Sequence, residues 1–137
     1  MTSVNKAAAA FTFAVSLLLG SYSAFAHHAR ASFDVDHSVT LKGTVANFKW
    51  TNPHAFIFLD VKDEKGSVDE WRIEANSPNM LSRIGWTREL LKSGDQVSVT
   101  GSPAKDGEKI LRLETLTLAN GQKFDGQGIN GGVGHAE

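Results

Sequence analysis

Ser77-Pro78-Asn79-Met80-Leu81-Ser82-Arg83-Ile84-Gly85 carries a full set of helix signals in a chain whose other patterned segments read as strands. A serine N-cap accepts a hydrogen bond from a first-turn N–H, and proline at the first helical position gives up an N–H that has no partner there anyway. Met80, Leu81 and Ile84 then form an apolar stripe, and Gly85 ends it. Trp86 bridges to Thr87-Arg88-Glu89-Leu90-Leu91, which reads as a second short helical turn capped by Thr87.

Upstream of this piece lie three strand-like runs. Val39, Leu41, Gly43 and Val45 alternate with Thr40, Lys42 and Thr44, the period of two expected of a half-buried strand. Phe48 and Trp50 fall on the opposite parity, which predicts a bulge or sharp bend near Ala46 or Asn47, with Gly43 easing a coiled strand. Thr51-Asn52-Pro53 breaks the run, because proline fixes φ and holds the residue before it extended. A second strand runs from His54 to Val61, with Ile57, Leu59 and Val61 directed to the core and His54, Phe56 and Phe58 on the other face. After the turn Asp63-Glu64-Lys65-Gly66, a third strand from Val68 to Ala75 sets Trp71, Ile73 and Ala75 against Glu70, Arg72 and Glu74.

Downstream, Ser93-Gly94-Asp95 turns the chain into a fourth strand, Gln96 to Gly101. Lys105-Asp106-Gly107-Glu108 is a hairpin turn, and Ile110, Leu111, Leu113, Leu116 and Leu118 mark a fifth strand. Asn120-Gly121 then signals a short hairpin into Gln122 to Phe124. Three strands, a short helix, two strands and a small sixth are the order of an oligonucleotide/oligosaccharide-binding (OB) barrel, a five-stranded Greek-key architecture. The fold class is therefore mainly β: a small OB-like barrel of five to six strands with one short helical segment between strands 3 and 4. A strand-helix sandwich of another topology is the alternative.

The barrel is expected over residues 38–124 of the 137, with segments of different character on both sides. In residues 1–26 Lys6 is the one charged side chain, Ala7 to Leu19 is apolar, and Ala24-Phe25-Ala26 fits the small-x-small cleavage pattern of a secretory signal peptide. An apolar run of that length falls short of the ~20 residues that span a bilayer, so no membrane anchor is expected after cleavage. The expected location is periplasmic or secreted, with the cut after Ala26. Cleavage there leaves 111 residues of net charge −2. The charge speaks against nucleic acid, whose binding draws on phosphate neutralisation. With no cysteine in the chain, stability has to come from packing, and any metal site has to use histidine, carboxylates or backbone groups. Residues 27–37 read as an N-terminal arm, and residues 125–137, with five glycines, as a disordered tail.

Several of these motifs carry a family resemblance. His27-His28, Phe33-Asp34, Val39-Thr40-Leu41-Lys42-Gly43-Thr44-Val45, Trp50-Thr51-Asn52-Pro53-His54, Ser77-Pro78-Asn79, Gly85-Trp86-Thr87-Arg88, Leu91-Lys92-Ser93-Gly94-Asp95 and Val97-Ser98-Val99-Thr100-Gly101 together resemble the DUF6152 family of exported bacterial proteins of unknown function. The likeness spans about residues 27–124. It implies a small periplasmic β-barrel domain and no established activity. One departure is that Ala29-Arg30-Ala31 stands between the histidine pair and Ser32-Phe33, where the family pattern is His-His-Ser-Phe.

Two candidate sites follow from the residues. Cleavage after Ala26 makes His27 the first residue, whose α-amine and imidazole Nδ1 can chelate one metal ion, an arrangement suited to Cu(II). His28 lies beside it, and His54 at the proline corner could complete a set of three; His37, Asp34 and Asp36 are further ligands on the arm. Copper is thus the candidate cofactor, with no cofactor as the alternative. The alternative is that the histidine pair merely flanks a cleavage site and His54 caps a turn or packs on aromatics. The second candidate is a ligand-binding face made by Phe56 and Phe58 with Trp50 and Phe48, since OB barrels bind ligands over strands 2 and 3; the alternative is that these rings are core. No Gly-x-Ser-x-Gly, His-Glu-x-x-His, cysteine nucleophile or phosphate loop is present, and Asp69, Glu70 and Glu74 read as a solvated face. The expectation is a non-enzymatic module that binds copper through the mature N-terminus, or alternatively a periplasmic protein or small ligand through the aromatic face.

Overall fold

The computed structural model describes residues 32–128. Its elements are β1 (Val39–Lys49), β2 (Phe56–Lys62), β3 (Val68–Glu74), α1 (Pro78–Arg83), β4 (Gln96–Pro103), β5 (Ile110–Leu118) and β6 (Lys123–Asp125), in the order that the alternation and turn signals predict. Neighbouring strands run β3-β2-β1-β4-β5-β6, and β3 returns to pair in parallel with β5 through Arg72–Glu74 and Ile110–Arg112. That last pairing closes five strands into a barrel, with β6 added beside Thr115–Thr117 of β5. This is the OB-like order, with the one short helix between β3 and β4. The expected signal peptide, His27, His28 and the tail beyond residue 128 lie outside the described residues. Among the described residues, no helix is long and apolar enough to cross a membrane.

β1 is the longest strand because it serves two partners. Val39 to Thr44 pair with β4, and Thr44 to Lys49 pair with β2. Between Val45 and Asn47 the register slips, so Ala46 is the extra residue of a bulge. This is the bend that the change of parity demanded, and it turns Phe48 toward the core as Val45 is turned before it. A second slip, between Thr100 and Gly101 of β4, leaves Glu114 of β5 without a partner residue on β4 and switches the core-facing set from Leu111 and Leu113 to Leu116. The Glu114 carboxylate accepts the hydroxyls of Ser38 and the buried Ser102, at 3.1 and 2.9 Å.

The two bends need room that a side chain would take. A Cβ on Gly43 would fall well inside 3.0 Å of the Asp60 carbonyl oxygen, and one on Gly101 as close to that of Arg112. Both glycines are therefore places where one strand's backbone lies against another's, which explains a residue that otherwise weakens a strand.

The barrel interior is filled by Val45, Ile57, Leu59, Ile73, Val97, Val99, Leu111, Leu113 and Leu116, each in the inward position of its strand. One end is stoppered by Leu81 of α1 with Trp86 and Leu91 from the segment that follows. Ser77 caps α1 as its sequence predicts, its hydroxyl accepting from Met80 N, and Thr87 to Leu90 form a single turn. The Trp86 ring lies edge-on to Phe124 at 5.9 Å and tilted on Phe48 at 6.2 Å, and its Nε1 donates to the Asp125 carbonyl at 2.9 Å.

Described residues on both sides of 38–124 also pack on the barrel. Phe33, which reads as part of the arm, is buried and bridges to Ala104, with Asp34 N donating to Pro103 O at 2.9 Å. At the other end the first residues of the glycine-rich segment form a strap. Asn76 Nδ2 donates to Gln127 O, Gln127 Nε2 donates to Leu113 O, and Arg112 Nη2 donates to Gln127 Oε1.

Candidate functional site

The corner between β1 and β2 places its histidine through backbone bonds. Ala55, just after it, is buried and bonded both ways to the end of β3: its N–H to Asn76 O at 3.1 Å, and its carbonyl from Ala75 N at 2.9 Å. His54 is thereby brought out beside β3, where its Nδ1 lies 2.6 Å from Glu74 Oε1. The imidazole is 40% exposed and the carboxylate 21%. In the neutral tautomer that donates from Nδ1, the lone pair of Nε2 is left for another partner.

From that pair an aromatic face runs along the outside of the barrel. In β2 the inward residues Ile57 and Leu59 are fully buried, while Phe56 and Phe58 are half-buried on the other side. The register sets Phe56 between Lys49 of β1 and Glu74 of β3, and Phe58 between Asn47 and Arg72. Arg112 of β5 pairs in turn with Glu74. Cations lie over both rings: Lys49 Nζ is 4.9 Å from the Phe58 centroid, and Arg72 Cζ is 5.8 Å from that of Phe56. The face is thus two phenyl rings with Lys49 and Arg72 over them, beside one carboxylate, that of Glu74, engaged by His54.

Of the residues that the sequence singles out, the structure joins His54, Phe56 and Phe58 on this surface. Trp50 is elsewhere. The bulge at Ala46 turns Phe48 and Trp50 to pack against the core, edge to face with centroids 5.7 Å apart, and puts Asn47 and Lys49 outside in their stead. His37 is held by Asp34 at 2.9 Å on the surface. His27 and His28 fall outside the described residues, and among the described residues no group of three or more His, Asp or Glu side chains is placed to hold a metal ion. Glu74, which reads as one of a row of solvated carboxylates, is the partner of His54. Alternation sets Arg72 on the same side of β3 as Glu70 and Glu74, but the approach of Lys49 and Arg72 to the rings depends on register.

No curated protein matches the chain. A solved structure of TiaS in complex with tRNA and ATP is similar at 25% identity over 62% of this chain and 18% of that one, with a TM-score of 0.45. This chain therefore spans less than a fifth of that one. A family model matches residues 14–111, a range that takes in the proline corner, the capped helix and the strands from Val39 to Pro103. The chain belongs to DUF6152, a family of unknown function.

Proposed function

We propose that this protein is an exported, non-catalytic binding module that grips an extended acidic and apolar segment of a partner polypeptide on the outer face of β1, β2 and β3. The observation that carries this reading is the pair Phe56 and Phe58: two neighbouring rings outside a barrel whose interior is already filled, each with a cation beside it. Apolar side chains of a partner can lie on the rings. Its carboxylates can draw Lys49 and Arg72 off them into charge-assisted hydrogen bonds, which are stronger than neutral ones. A displayed library of random peptides selected against the full chain should converge on sequences with Asp or Glu next to apolar residues. Those peptides should bind a Phe56→Ala/Phe58→Ala variant at least about tenfold more weakly, a difference of ~1.4 kcal/mol. Selection of sequences without acidic residues, or binding indifferent to the double substitution, would overturn the reading.

A second reading, a copper site that combines His54 with His27 and His28, is favoured by the His54–Glu74 pair. A metal-ligating histidine commonly donates its other ring N–H to a carboxylate, which fixes ring and tautomer; Glu74 lies at 2.6 Å from His54 Nδ1 in that relation. The bound ion would be Cu(II), held through imidazole nitrogens and the terminal amine. Protein recovered with His27 as its first residue should bind one Cu(II) with a visible d–d absorption band. Tight binding should be lost in His27→Ala or with one extra residue before His27, and Glu74→Gln should weaken it by about 10- to 100-fold. Equal affinity with a blocked terminus would sink this reading.

A further inference from the structure

β2 and β1 stop pairing at Thr44 and Asp60, while β1 runs on beside β4 to Val39. Next to this divergence lies an open groove of about 780 Å³, on a different part of the barrel from the phenyl rings. Lys42 and Thr44 of β1, Asp60 and Lys62 of β2, Ser98 of β4 and Thr117 of β5 contribute its polar groups. The Thr44 hydroxyl is held by Gln96 Nε2 at 2.6 Å. Ser98 and Thr117 have no side-chain hydrogen bond among the described residues, and Lys42, Lys62 and Asp60 enter none of the ion pairs there.

We infer that this groove binds a polyhydroxylated anion, a sugar acid or a sugar phosphate, with the ammonium groups of Lys42 and Lys62 on the charge and with Asp60, Ser98 and Thr117 on the hydroxyls. Each half of that description has its own physical reason. Two unpaired ammonium groups at one groove favour a carboxylate or phosphate through charge-assisted bonds. Asp60 between the strands repels a bare anion, yet accepts from hydroxyl groups that such an anion lacks. The free hydroxyls of Ser98 and Thr117 can donate and accept, as a sugar requires. A site of this volume lies within the ~300–1,000 Å³ range of small-molecule pockets. Val68 and Leu118, also at the groove, offer apolar surface for the carbon side of a sugar ring.

The test is a titration of isotope-labelled full chain, followed by backbone amide NMR shifts, with digalacturonate, glucose 6-phosphate and maltose. The expected result is saturable shifts around Lys42–Thr44 and Gln96–Ser98 with one or both anionic sugars and none with maltose; which of the two binds tells carboxylate from phosphate. Lys42→Ala/Lys62→Ala should weaken the binding at least tenfold with the amide spectrum otherwise retained, and Lys42→Gln/Lys62→Gln serves should the alanine variant lose its dispersion. Asp60→Asn should weaken the sugar while leaving inorganic phosphate no weaker. The inference is overturned by an absence of saturable shifts with both anionic sugars, by equal response to maltose, or by unchanged affinity in a folded double-lysine variant. Shifts confined to Phe56 and Phe58 would overturn it too, while leaving the aromatic face in play.

Discussion

A single methyl group at Gly101 should remove most of the barrel's stability. In Gly101→Ala the new Cβ would fall well inside 3.0 Å of the Arg112 carbonyl oxygen, 2.9 Å from the carbon of that carbonyl and 3.2 Å from Glu114 N. All three are main-chain atoms of β5, so no rotamer change relieves the clash; the strands have to move apart at a bulge where the ladder is already interrupted. Overpacking a well-fitted core costs about 1–3 kcal/mol when side chains can yield. Here they cannot, and a loss of about 3–5 kcal/mol is expected, a large part of the ~5–15 kcal/mol that a domain of this kind has in total. Gly66→Ala is the control. It also meets a demanding backbone, with φ of 83°, but nothing lies within 4 Å of its Cβ, so it should lose only ~1 kcal/mol. Urea denaturation followed by circular dichroism compares the two. A Gly101→Ala midpoint no lower than that of Gly66→Ala would mean that the strands are not in contact there.

Trp86→Ala should have an effect of similar size by the opposite route, a void instead of a clash. Trp86 is 2% exposed and is the largest of the fully buried side chains, lodged between Phe48 and Phe124 at the stoppered end. Removing a buried Trp or Phe side chain typically costs about 3–5 kcal/mol, from lost transfer free energy and from the cavity. The indole also donates from Nε1 to Asp125 O at the start of the strap, which a phenyl ring cannot do. Trp86→Phe keeps most of the burial and drops the bond, leaving the Asp125 carbonyl without that donor at a cost of about 1–3 kcal/mol. Equal losses in the two variants would say that the hydrogen bond, not the volume, holds this end. The expected result is that alanine is clearly the worse.

The element order was legible because each signal was local. Alternation in Val39–Val45 and Val68–Ala75, the Ser77-Pro78 cap and the Asn120-Gly121 turn each depend on a few adjacent residues, and the structure keeps all of them. The parity conflict between Val45 and Phe48 even announced the bulge. Its consequence for the candidate site was harder to read. A one-residue slip sends every following side chain to the other face, so Lys49, not Trp50, joins Phe58 outside. The same kind of conflict lies in β5, where Leu113 and Leu116 are of opposite parity yet both face the core. The pairing of His54 with Glu74 depends on the β2–β3 register, which no local pattern encodes. Phe33 escaped for a related reason: a lone bridge to Ala104 has no period to betray it. The groove beside Lys42 arises only where two strands part, a property of the pairing and not of either strand.

The divided loyalty of β1 bears on how this chain comes to fold. Its first half is completed by β4, as in the contact of the Thr40 and Thr100 hydroxyls 60 positions apart, and its second half by β2 close by in sequence. A β1–β2 hairpin can form early, but the ring cannot shut until β4 and β5 have been made. Pairings this remote in sequence are the slow ones, because the connecting chain loses its freedom before any contact rewards it. Closure of the barrel is therefore expected to be the slow part of its folding.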